Sequence, residues 1–201
     1  MTGFGAQSAA RRIVEESART LDTPEHQLRV SAIQSEFPWI KRGEVLWVRR
    51  VDFEALIYWV RSNQTSTVLN RGNTLDSISS LLRDNVGPLP GTLTAPALAA
   101  ALRKLTVEPR GYVMTPQFFE RVKPNLSDWT RGDTELALLL QSHSIEPTLR
   151  LVDQTGWQLE FRYINPQGGI ELWHASGDRD FVRTLQKSLP VAEGTFRFPV
   201  R

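Results

Sequence analysis

Hydrophobic spacing predicts helices over most of the first two-thirds of the chain. Ala10, Ile13, Val14, Ser17, Ala18 and Leu21 recur at helical intervals, so 7–21 reads as an amphipathic helix. Thr23, Pro24 and Glu25 read as the start of a second helix. It carries Leu28, Val30 and Ile33 and stops near 37–38. EVLWVRR at 44–50 is a short strand candidate. VDFEALIYWVRSNQ at 51–64 is apolar nearly all round, which predicts a buried helix, and 62–73 reads as a polar loop. Asn73 or Thr74 caps a helix with Leu75, Ile78, Leu81 and Leu82 on one face. Thr94 caps 95–105, Thr115 caps TPQFFERV, and a further helix spans 133–143. Segments 85–92 and PNLSDWTRGD read as loops, and 111–114 as a strand.

The pattern changes after Pro147. TLRLV, WQLEFRYI and GIELWHA alternate at period two, separated by DQTG and NPQGG turns. DFVRTLQKSL at 180–189 reads as a helix and 195–200 as a last strand. The expected class is α+β, with a mainly helical domain at 1–145 that holds a winged-helix-like segment at 74–123. A β-β-β-α-β unit follows at 146–201.

Charge narrows the picture. Twenty-four Lys and Arg against 22 Asp and Glu leave a net charge of +2, which excludes a polybasic or acidic tail and wholesale disorder. Basic character is local, concentrated at 41–50 and 103–110. The chain has no cysteine, so disulfides, thiolate metal sites and cysteine nucleophiles are excluded. The longest apolar runs, 55–60 and 97–102, are far short of the ~20 residues that span a bilayer. No membrane partner is expected, and a cytoplasmic location is.

Catalytic patterns are missing. His26, His143 and His174 fall in no HExxH, HxH or HxE spacing, and there is no GxSxG, P-loop or GxGxxG. No catalytic residue, metal or cofactor is expected. Glu160 and Glu171 lie on neighbouring strands and offer a carboxylate pair, as acid–base catalysis uses. On an amphipathic hairpin, though, such residues belong to the wet face. Asp178 and Asp180 read as capping carboxylates at a helix start.

Binding chemistry is more visible. PWIKRGEVLWVRR interleaves Trp39 and Trp47 with Lys41, Arg42, Arg49 and Arg50. Aromatic planes stack on bases and guanidinium groups hold phosphates, so this composition suits a nucleic-acid strand. The competing reading is a strand with its tryptophans in the core.

LTAPALAAALRKLTVEPRGYVMTPQFFERV resembles the winged-helix tail of replication and primase–helicase proteins of phages and plasmids. A small-residue helix ends in a basic pair, followed by a Pro-Arg turn, a Gly-aromatic strand and a short helix. The resemblance implies phosphate contacts from Arg103, Lys104 and Arg110, with Tyr112 on the wing. Residues 156–189 resemble the sheet-plus-helix DNA-binding arms of integrases, and are similar to short domains of plasmid-maintenance proteins. That resemblance implies a sheet face in the major groove, here carrying Glu160, Arg162, Glu171 and His174. The expected function is a non-enzymatic nucleic-acid-binding accessory protein of a mobile element. The alternative is a protein-interaction module, since Trp and Arg dominate interface hot spots and six tryptophans are present. A protein partner is expected on either reading.

Overall fold

The computed structural model describes residues 4–50, 55–63, 65–107, 110–192 and 196–197. The expected helix at the start is present as α1 (Phe4–Thr20). The second expected helix is not. After a 3-10 turn at Glu25–Gln27 the chain forms β1 (Arg29–Ala32). The expected strand is β2 (Glu44–Arg49), and the expected buried helix is instead β3 (Ala55–Val60). β4 (Ser66–Val68) lies within the expected loop. These four make an antiparallel sheet in the order β1-β2-β3-β4.

This overturns a helical N-terminal two-thirds, and the cause is physical. β3 is buried on both faces. Leu56 and Tyr58 pack with Ile13 and Leu21 of the α1 region, while Ile57 and Trp59 enter the central core. A strand covered on both sides reads as an unbroken apolar run, as a buried helix does. Its six residues are short for a helix, and its aromatic and branched content favours a strand.

Helical expectations hold further on. α2 (Thr74–Val86) and α3 (Ala95–Thr106) are followed by β5 (Tyr112–Val113) and α4 (Pro116–Val122). The Thr94 hydroxyl accepts from the Ala97 N–H, and the Thr115 hydroxyl from Phe118, each just before a proline in the first turn. α5 (Leu126–Thr130) occupies an expected loop, and α6 (Thr134–His143) is capped by Asp133.

The C-terminal sheet contains β6 (Thr148–Val152), β7 (Gly156–Ile164), β8 (Ile170–Gly177) and β9 (Val182–Ala192). The path is β5-β7-β8-β9, with β6 also on β7. β9 replaces the expected helix at 180–189. Its pairing with β8 shifts register at three places, and each shift breaks the period-two signal. Of the expected last strand only Phe196 and Arg197 are described, and the rest lies outside the described residues.

The core does not stop at the boundary expected near 146. One cluster joins Val45, Ile57 and Trp59 of the first sheet to Trp157, Phe161, Tyr163 and Trp173 of the second, through Leu81 and Leu82 of α2 and Leu98 and Leu102 of α3. β5 precedes that boundary and pairs with β7 beyond it. A second cluster packs Phe118, Trp129 and Leu140 from α4, α5 and α6 on Ile164 and Ile170. Among the described residues, no helix is long and apolar enough to cross a membrane.

Candidate nucleic-acid interface

The nine expected binding residues are dispersed. Arg103 is 4% exposed. Its guanidinium lies 4.4 Å from the Tyr163 ring centre and 5.0 Å from that of Trp173, and its Nη2 donates to Glu171 Oε2 at 3.3 Å. An alanine-rich helix face lets α3 approach the sheet closely enough to bury its own arginine, so Arg103 cannot reach a phosphate. Lys104 bonds Glu36 Oε2 at 2.5 Å and lies over Tyr112. Arg110 is half-buried, and its carbonyl accepts from the Tyr163 hydroxyl at 2.6 Å.

The 38–50 stretch is divided by strand geometry. Trp39 is half-buried, edge-on to Phe37. Lys41 and Arg42 have exposed side chains, but their backbone N–H groups both donate to Asn85 Oδ1, at 2.8 and 2.7 Å. Arg49 and Arg50 point to opposite faces because the side-chain period is two. Arg50 turns toward the α1 side, where Nη1 donates to the Leu21 carbonyl and the Thr23 hydroxyl. Arg49 stays with Trp47, its guanidinium carbon 4.9 Å from the ring centre. Trp47 is half-buried against the core, and its Nε1 is buried with no acceptor among the described residues.

Register adds a residue that helical spacing concealed. Arg29 of β1 stands directly opposite Arg49, and Ser31 opposite Trp47. Neither arginine has a carboxylate partner among the described residues. Residues opposed across an antiparallel pair hold their Cβ atoms ~5 Å apart, and like charges there destabilise the sheet. Two guanidiniums with no carboxylate partner among the described residues, one of them over the Trp47 ring, form a cationic and aromatic surface. The signal that finds it is alternation in RVSAI, where Arg29, Ser31 and Ile33 share a face.

The suspected carboxylate pair is not a pair. Glu160 lies opposite His174, and Glu171 opposite Tyr163, so the two acids are on different faces. Glu171 is not on the wet face at all. It is 6% exposed and accepts from Trp173 Nε1 at 2.8 Å and Asn165 Nδ2 at 3.0 Å, with Lys187 Nζ at 3.5 Å. The wet face holds Glu160 with His174 (3.6 Å) and Ser176 with Thr184 (2.7 Å), around a depression of about 340 Å³. Asp178 caps a turn rather than a helix. Its Oδ1 accepts from the N–H groups of Asp180 and Phe181, and Arg183 grips its Oδ2 through two nitrogens. Among the described residues, no three His, Asp or Glu side chains converge on a metal position.

No family model, curated protein or solved structure matches this chain. The functional reading therefore rests on its own side chains.

Two titratable groups tie the fold to pH. Burial alone would raise the Glu171 pKa. Hydrogen bonds from Asn165 and Trp173, then the charges of Arg103 and Lys187, outweigh it and hold the carboxyl below its ordinary value. Burial lowers His143, helped by Arg162 beside it. In both cases the unfolded chain binds the proton more readily, so stability is lost as pH falls. His143 begins to act as pH drops through its ordinary value of 6.5, and Glu171 below its own ordinary value of 4.5. Urea midpoints should therefore fall in two stages on acidification, and His143→Asn should remove the upper one. An unchanged upper stage in that variant would assign it to another group.

Proposed function

We propose that this chain binds nucleic acid without catalysing a reaction on it, through the β1–β2 face around Trp47. Arg29 and Arg49, opposed across the strands without a carboxylate for either among the described residues, carry the reading. A like-charge pair costs the folded protein free energy, and a phosphate bound between the two would relieve that repulsion. Trp47 beside them is half-buried with the Arg49 guanidinium over its ring, so a base would stack against that arginine and indole together. A flexible single strand suits this surface better than a duplex, whose stacked bases cannot reach an indole seated in a sheet.

The test is fluorescence anisotropy with a labelled deoxythymidine 20-mer and a labelled duplex of equal length. The single strand should bind more tightly. With one phosphate held between the two arginines, log K should fall against log salt with a slope of about −0.7. Arg29→Glu combined with Arg49→Glu should weaken binding at least about tenfold, because each reversal replaces a charge-assisted contact of about 1.5 kcal/mol or more with repulsion. Failure of both probes to bind at low salt would end this reading.

A further inference from the structure

We propose a second interaction surface, independent of the first: the outer edge of β6 accepts an extended segment of another protein. That segment would be apolar at alternate positions, with a carboxylate facing Arg150.

The backbone supports this choice of occupant. β6 pairs with β7 from Thr148↔Glu160 to Val152↔Gly156. Farther along the same side of β7, at Tyr163 and Ile164, β5 is the neighbour. The other edge of β6 pairs with no strand among the described residues. Such an edge presents free N–H and C=O groups, and these are satisfied in series only by another extended chain. A helix or a small molecule cannot complete that ladder.

The side chains specify what the segment carries. Leu149 and Leu151 stand opposite Leu159 and Trp157, whose side chains enter the core, so both leucines belong to the inner face. Leu149 packs against the core, but Leu151 is 74% exposed and overhangs it. An added strand would cover Leu151 with an apolar side chain of the same parity. On the outer face Thr148 and Arg150 are exposed. Arg150 has no ionic partner among the described residues. Glu160, diagonal to it, lies instead against His174. Arg150 is therefore available to a carboxylate one residue out of step with the apolar positions.

β6 also lacks two of the usual protections of an edge. It contains no proline, and both inward positions are leucine rather than a charge. A second copy of this chain is the less favoured occupant. Antiparallel self-pairing centred on the strand would oppose Arg150 to its own equivalent, at the cost like charges carry.

The experiment uses the full chain and two synthetic seven-residue peptides. One alternates valine with glutamate, and the other valine with lysine. Backbone amide spectra and calorimetry should show the glutamate peptide binding at 148–152, with those amides gaining exchange protection. Leu151→Lys should weaken it at least tenfold. Arg150→Glu should invert the preference, so that the lysine peptide binds more tightly. Leu138→Lys serves as a control, since Leu138 is 61% exposed on α6 and should leave binding unchanged. All three positions are exposed, so the variants should fold, and circular dichroism checks this. Three results would each overturn the proposal. The first is no binding by the glutamate peptide. The second is binding insensitive to Leu151→Lys. The third is a concentration-dependent dimer of the chain that Leu151→Lys dissolves, which would assign the edge to a second copy.

Discussion

Glu171→Leu should destabilise the fold by about 3–5 kcal/mol, and Arg103→Leu by clearly less. The asymmetry follows from what each change leaves behind. Without Glu171, a guanidinium 4% exposed keeps its charge, and its Nε and Nη1 already lack acceptors among the described residues. Among the described residues, the Tyr163 and Trp173 rings remain to compensate it. Without Arg103, Glu171 keeps hydrogen bonds from Asn165 and Trp173 and the charge of Lys187. Removing both charges should be milder than Glu171→Leu alone, because no unpaired ion is then buried. Tryptophan fluorescence in urea measures all three. Equal losses for the two single variants would show that the pair, rather than the network around Glu171, carries the stability. The pH response gives a second check, since Glu171→Leu should shrink the lower acid stage, leaving the share of Asp178, whose carboxyl the Asp180 N–H and then Arg183 also hold below its ordinary value.

The same residues show how far the sequence could be read. Capped helices were legible, because Thr94, Thr115 and Asp133 satisfy terminal N–H groups locally and leave a local mark. β7 and β8 were legible because one face is core and the other wet, which writes period two into the chain. β3 was not, since burial on both faces erases that period. β1 was hidden because Leu28, Val30 and Ile33 fit a helical stripe about as well as a strand. The winged-helix resemblance implies a phosphate contact for Arg103, and nothing local in the sequence marks it as buried. Its burial depends on Glu171, 68 positions away. Parity within β8 already separates Glu171 from His174, three residues on, and so from the wet face. For the candidate interface, Trp47 and Arg49 were legible from composition. Arg29 required the register of a strand not expected there.

Gly43→Ala should cost about 2–5 kcal/mol, combining left-handed backbone strain with overpacking. Gly43 has φ +101°, and a Cβ there would lie 2.3 Å from the Val60 carbonyl oxygen and 2.9 Å from Trp59 Nε1. Neither neighbour can retreat cheaply. Val60 is held in the β2–β3 ladder opposite Glu44. Trp59 is fully buried, and its Nε1 donates to the Arg42 carbonyl at 3.0 Å. Relief must therefore come from the segment before β2, which would pull the Arg42 carbonyl from the indole and leave a buried N–H without an acceptor. Gly72→Ala separates strain from crowding. Gly72 has φ +69° with nothing within 4 Å of an added Cβ, so it should show strain alone, about 1–2 kcal/mol. Urea midpoints of the two variants provide the comparison. If Gly43→Ala were no worse than Gly72→Ala, the segment bearing Lys41 and Arg42 would be free to shift. Its two bonds to Asn85 would then not fix where those cations stand. If the larger loss is found, Lys41 and Arg42 are anchored through their backbone at the start of β2. The five strand steps from Glu44 to Arg49, at ~3.3 Å each, then set the start of β2 ~17 Å from Arg49.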